Sequence, residues 1–355
     1  MDLIVKVTRN FTDGITEIYK PINLKYEDSL FSSGSMSFEV LTRSDDLKNL
    51  DLFQKIELFY QYENTEYSIW NGYISNINVK LPRTIIKCLQ SKEYLKRKQV
   101  YSSTQINGTP QEIVQPLLDD VNSRKGANEA NLTFSSDITD VYQFKASKGT
   151  LHSALTSLAT LFKAQMVVEK NTIYFRKRIG QDRLNSPDFV EVVSSLHNPM
   201  FNTLADVDVN LSSNTLLTRA VIKNNNGGVN RIRNTETYGS IEGEASVNDG
   251  DIDELADAYI DKYSQPVKVY KINVNDRSIG VLDVYIGDTV WLRVEQDIEL
   301  IDTFEPYRIT GKTVDFKYGK PRVSLSLSNK DLSELRLKDV LGDMMERIKG
   351  LENKI

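Results

Sequence analysis

The sequence is poor in the residues from which most catalytic and redox centres are built. It has one cysteine, Cys88, so no internal disulfide is possible. That residue stands in Ile85-Ile86-Lys87-Cys88-Leu89 and reads as a small buried hydrophobe. There are two histidines, His152 and His197, and neither sits in H-E-x-x-H or C-x-x-C spacing, so no metal centre is expected. A G-x-S-x-G elbow and a Walker loop are missing, and no cofactor is expected. No apolar run reaches the roughly 18 residues that span a bilayer, so no membrane span is expected. The start, Met1-Asp2-Leu3-Ile4-Val5-Lys6-Val7, lacks a basic region and a long apolar stretch, which argues against Sec export. A basic excess is missing too. With 44 Lys and Arg against 49 Asp and Glu, the net charge of −5 does not suit a general nucleic-acid coat.

What remains is a chain of 355 residues, long enough for two or three domains, with 17 Tyr and 13 Phe to fill cores. Residues 1–98 read as strands. Leu3–Val7, Met36–Val40, Ile56–Tyr60, Ser68–Ile74 and Arg83–Leu89 follow one another with turns at Glu63-Asn64 and Leu81-Pro82, which suits a small barrel or sandwich. Residues 99–188 read as an α+β segment. Thr109-Pro110-Gln111-Glu112 opens a helix, with Thr at the N-cap, Pro at N1 and Glu at N3, and Pro116 is expected to end or kink it. Leu151, Leu155, Leu158 and Phe162 form one stripe of a second helix over 150–163. A hairpin around Lys170-Asn171 follows. Residues 189–330 return to strands with one helix, Asp251–Tyr263. Its start, Asn248-Asp249-Gly250-Asp251-Ile252-Asp253-Glu254, opens like a calcium loop but has Glu254 and Ile260 where such a loop needs Gly and Glu. An N-cap at Asp251 with Glu254 is the better reading.

The last 25 residues differ again. Leu337, Leu341, Met344, Ile348, Leu351 and Ile355 are spaced as an a/d heptad seam, the pattern of a short oligomeric coiled coil, although a helix packed on its own domain would use the same residues. Two charge runs stand out. Residues 80–98 hold seven basic residues against Glu93, and residues 236–261 hold nine acids and no Lys or Arg. Each reads either as solvated charge or as complementary subunit contact.

The chain also echoes itself. Phe53–Leu58, a loop, and Ile69–Ile77 around Gly72 match Ile286–Leu292, a longer loop, and Tyr307–Val314 around Gly311. In strand interiors, glycine marks a bulge or a close backbone approach. Trp70-Asn71-Gly72-Tyr73-Ile74 after an alternating strand resembles the first β-domain of bacteriophage tail hub proteins. So does the succession Asp257–Pro266, strand Val267–Val274, Gly287-Asp288-Thr289-Val290 and closing strand Arg322–Ser328. These families are the baseplate hub of contractile tails and the N-terminal structural region of tail-associated proteins in flexible tails.

The resemblance implies an α+β, mainly β fold with two related tube-type β-barrel domains (1–98 and 189–330), an intervening α+β domain (99–188) and a C-terminal helix (331–355). It implies a homotrimer whose six β-domains continue a six-fold tail tube into a three-fold tip around a DNA channel. The partners it implies are the tail tube, distal tail proteins, the tape-measure protein and a tip spike or fibre. DNA would pass transiently without specific binding, and the protein, made in the host cytoplasm, would reside in the virion tail. The chain stops where tail-associated relatives continue into peptidase or lysozyme regions, so no enzymatic activity and no catalytic residues are expected. Competing readings are a distal tail ring or tube adaptor, a cell-wall or glycan hydrolase using an acid pair, and a carbohydrate-binding adhesin with Trp and Tyr platforms.

Overall fold

The computed structural model describes residues 2–8, 15–30, 33–42, 50–62, 65–101, 105–126, 129–145, 149–162, 164–185, 190–195, 204–212, 216–224, 227–246, 253, 256–257, 260, 264, 267–274, 284–298, 302–317 and 320–329. They fall into two compact units. One takes in residues up to 191 with 273–290 and 309–325; the other takes in 192–272, 291–308 and residues from 326.

The first unit opens with β1 (Asp2–Thr8), β2 (Ile15–Tyr19), β3 (Asn23–Ser29), β4 (Ser35–Leu41), β5 (Lys55–Tyr62), β6 (Thr65–Val79) and β7 (Arg83–Gln90). They pair antiparallel in the order β3-β4-β7-β6-β5-β1-β2. Period-two alternation makes the core. In β4, Met36, Phe38 and Val40 are buried and their neighbours are not, as the sequence reading expects. Cys88 is buried as well, and burial pushes its thiol far up. Gly72 has a packing reason: a Cβ there would stand 2.2 Å from the Leu89 carbonyl and 2.4 Å from the Trp70 ring.

A second core follows in the same unit. Its elements are α1 (Ser91–Tyr94), β8 (Gln99–Val100), β9 (Gln105–Gly108), α2 (Pro110–Ser123), β10 (Thr133–Ser136), β11 (Tyr142–Lys145), β12 (Gly149–Thr150), α3 (Leu151–Leu161), β13 (Gln165–Glu169) and β14 (Thr172–Arg176). Helix α2 starts on the expected capping box, with Glu112 N–H donating to Thr109 Oγ1 and Thr109 N–H to Glu112 Oε2. Pro116 does not end it. Proline forfeits one backbone bond on the exposed side, while Ile113, Val114, Leu117, Leu118 and Val121 bury the opposite face and carry the helix through. Leu151, Leu155, Leu158 and Phe162 of the α3 stripe pack into this core with Ile173, Phe134 and Phe175. The hairpin β13–β14 turns at Lys170-Asn171, with Lys170 at φ 54°.

Further along are β15 (Glu191–Ser195), β16 (Leu204–Ser212), β17 (Arg219–Asn224), β18 (Gly227–Ile232), α4 (Thr235–Tyr238), β19 (Glu242–Ser246), β20 (Val267–Val274), β21 (Thr289–Glu295), β22 (Thr303–Lys317) and β23 (Lys320–Ser328). Six of these repeat the opening topology. The order β16-β20-β23-β22-β21-β15 matches β3-β4-β7-β6-β5-β1, strand for strand in chain order. Strands β6 and β22, which carry Gly72 and Gly311, are each 15 residues long. The later set differs by an insertion, the sheet β18-β17-β19, which has its own small core of Leu217, Ala220, Ile260 and Val267. In both sets the pairing among the described residues runs as an open path. Within the first unit, residues 311–317 of β22 pair with residues 23–29 of β3. Of the helix read at 251–263, the described residues Asp253, Ala256, Asp257 and Ile260 are helical.

Candidate functional site

The expected oligomer seam, Leu337, Leu341, Met344, Ile348, Leu351 and Ile355, lies outside the described residues, as do His197 and most of the calcium-like segment. His152 is half-buried in α3. Burial first, then Lys92 and Lys96, lower its pKa to about 4 against the pull of Glu93, so the imidazole is neutral at pH 7. Among the described residues no group of three His, Cys, Asp or Glu could hold a metal ion, and no helix is long and apolar enough to cross a membrane.

A cleft of about 750 Å³ opens in the first unit. One wall is Ser68–Asn71 of β6, and another is Met166–Lys170 of the β13 hairpin. The floor brings in residues 178–183 and the loop 285–288. Asn71 Oδ1 ties the walls together by accepting from Ser91 Oγ (3.1 Å) and from the Lys170 N–H (3.3 Å). Lys170 Nζ also pairs with Glu57 at 3.1 Å. Trp70 is 3% exposed and its indole N–H has no acceptor.

Beside the cleft, Asp288 organises the loop the sequence shows as Ile286-Gly287-Asp288-Thr289. It is 1% exposed. Its carboxylate accepts from Gln181 N–H (2.7 Å), Tyr285 N–H (2.9 Å) and Arg183 Nε (2.6 Å). Gly180 and Gly287 lie back to back at φ 83° and 92°, where a Cβ on Gly180 would stand 2.1 Å from the Gly287 carbonyl carbon. Both the conformation and the contact require glycine. Arg178 donates to the Thr289 hydroxyl. Sequence reasoning noticed Gly287-Asp288 but missed Gly180 and Arg183. Their only signal is Gly180 itself, a glycine shortly after a strand ending in basic residues.

A half-buried carboxylate, Asp28, is the cross-strand partner of Lys312. Its Oδ1 accepts from Gln90 Nε2 at 2.6 Å and from the Ser29 N–H at 2.8 Å. Burial raises its pKa more than these bonds and the charges of Lys312 and Lys92 lower it. The folded state therefore binds the Asp28 proton more tightly than the unfolded chain does. Stability is fully present below the unfolded value near 3.8 and falls as pH rises towards the folded one. Asp28→Asn keeps an oxygen acceptor without the charge. We expect its melting temperature to gain on the wild type as pH climbs from about 4. Parallel thermal scans across that range test this, and a constant difference would refute it.

Part of each charge run pairs within the chain. Glu242 and Glu244 pair with Arg219 (3.0 Å) and Lys223 (2.7 Å), and Asp257 pairs with Arg231 at 2.8 Å. In the basic run Arg83 meets Glu39 at 3.2 Å and Lys98 meets Glu129 at 2.8 Å. Trp291, which strand alternation favours as a core residue, is half-buried and stacks at 5.0 Å on Phe304, itself 59% exposed.

The duplicated strand order with its inserted α+β core is a fold shared with bacteriophage tail proteins. Three solved structures share it. The 43 kDa tail protein of prophage MuSo2 from Shewanella oneidensis aligns over 92% of this chain and 97% of its own, with TM-score 0.65 and 10% identity. A tail protein from Neisseria meningitidis MC58 aligns over 94% and 98%, with TM-score 0.66 and 12% identity. The prophage tail protein gp18 from Listeria monocytogenes EGD-e aligns over 98% and 100%, with TM-score 0.60 and 12% identity. No family model and no curated protein sequence matches the chain.

Proposed function

We propose that the protein is a structural, non-enzymatic hub of a phage tail tip or baseplate, adapting a six-fold tail tube to a three-fold tip around the channel for DNA. The observation that carries this reading is the topological duplication. Six strands in one order recur in one chain, so three copies of the chain would present six similar units. The likeness in fold to three tail proteins supports it. The domain division 1–98, 99–188, 189–330 and 331–355 belongs to the same proposal. So does a three-stranded coiled coil on Leu337, Leu341, Met344, Ile348, Leu351 and Ile355. Tail tube, distal tail, tape-measure and tip proteins would be its neighbours in the virion tail.

Sedimentation of the full chain at assembly-competent concentration should give a trimer. Leu341→Asp with Ile348→Asp should loosen its tip without dissolving it, because unpaired carboxylates in a seam are costly while a seam this short is weak. A monomer at every concentration would overturn the three-fold reading. A zymogram on peptidoglycan should show no clearing.

A further inference from the structure

The cleft in the first unit has a property that the hub reading does not use: two strand edges open into it. Strand β13 ends the sheet β10-β14-β13. Its pairing closes at Glu169 and Thr172 across the two-residue turn. In such a hairpin the pair beside the turn exchanges both backbone bonds, and alternation then directs the N–H and C=O of Val168 and Met166 away from β14. Both residues line the cleft. Strand β6 pairs with β5 from Thr65 to Tyr73, but its pairing with β7 begins only at Gly72. Ser68 to Asn71 therefore also present an edge.

Exposed edges are normally blunted by proline, a bulge or inward charge. Strand β13, Gln165-Met166-Val167-Val168-Glu169, has none of these in its middle. The lining is also biased in charge. Arg183 is matched by Asp288 and Lys170 by Glu57, whereas Arg176 and Arg178 contact no carboxylate among the described residues. Against them stand Glu169 and Asp28, and Asp28 already accepts from Gln90 and Ser29.

We propose that this cleft docks an extended, acidic segment of another polypeptide, which adds as a strand to the open edge of β13. Backbone pairing supplies the seat, and Arg176 and Arg178 select for carboxylates.

The test uses the full chain and two capped, fluorescent peptides, Glu-Val-Glu-Val-Glu and Lys-Val-Lys-Val-Lys. By anisotropy the acidic peptide should bind about tenfold or more tightly than the basic one, and added salt should weaken it. Hydrogen exchange should slow at residues 166–168 when it binds. Val168→Pro removes an edge N–H while sparing the ladder to β14, and should weaken binding about tenfold. Arg176→Glu with Arg178→Glu should do the same. Should Val168→Pro fail to fold by circular dichroism, the arginine pair and the exchange data decide alone. Equal affinity for the two peptides, no binding at millimolar concentration, protection away from β13, or unchanged affinity in the arginine variant would each overturn the proposal.

Discussion

Asp288→Ala is expected to cost about 3–5 kcal/mol of stability in denaturant unfolding, the usual penalty for breaking a buried ion pair from one side. The deletion removes the carboxylate paired with Arg183, whose side chain is 15% exposed, and withdraws the acceptor for the Gln181 and Tyr285 amides in one step. Asp288→Asn keeps the size and part of the hydrogen bonding, so its loss should be smaller. The loop should also loosen, because Ile309 of β22 accepts from the Gly287 N–H and donates to the Asp288 carbonyl. A loss below 1 kcal/mol for the alanine variant would mean that the Gly180–Gly287 apposition holds this junction without the carboxylate.

Phe175→Ala should have an effect of the same order, about 3–5 kcal/mol, through a different mechanism. Phe175 is fully buried and meets Phe134 edge-on at 5.0 Å. It is held in the core that α2 and α3 close over, so little can collapse into the void. The comparison is Phe304→Ala. That ring stacks on Trp291 but is 59% exposed, and its loss should stay within about 0.5 kcal/mol. Equal losses for the two phenylalanines would contradict the burial assigned here.

Much of the β-architecture was legible because alternation leaves its mark in single strands. Met36, Phe38 and Val40 announce a half-buried strand, and Thr109-Pro110-Gln111-Glu112 announces a capped helix. The glycine-centred echo pointed to a duplication, which the strand order now extends to six strands. Of the two outcomes expected at Pro116, an end or a kink, the end did not occur, because five buried residues on the opposite face carry the helix through. Strands β2 and β3 went unread: Ile15–Tyr19 is short, and Asn23–Ser29 buries Leu24 and Tyr26 between polar neighbours that resemble a loop. The polar lattice was the least legible part. Asp28 and Lys312, or Gly180 and Gly287, are far apart in sequence, and nothing local in either member names its partner. The charge runs were visible as composition, but the pairing of Glu242 and Glu244 with Arg219 and Lys223 came only from the parallel alignment of β17 with β19.

The pairing of β3 with β22 has a consequence for biosynthesis. Residues 23–29 leave the ribosome early, and their partner residues 311–317 leave near the end. At about 5–20 residues per second, that edge stays unprotected for roughly 15–60 s. Non-local pairings of this kind are slow to close because the loop entropy is lost before the contact rewards it. The nascent chain therefore spends most of its synthesis with a receptive strand exposed. Sister chains on one polysome will be most prone to mispair there, so slower translation or crowded polysomes should raise the insoluble fraction before any native contact is altered.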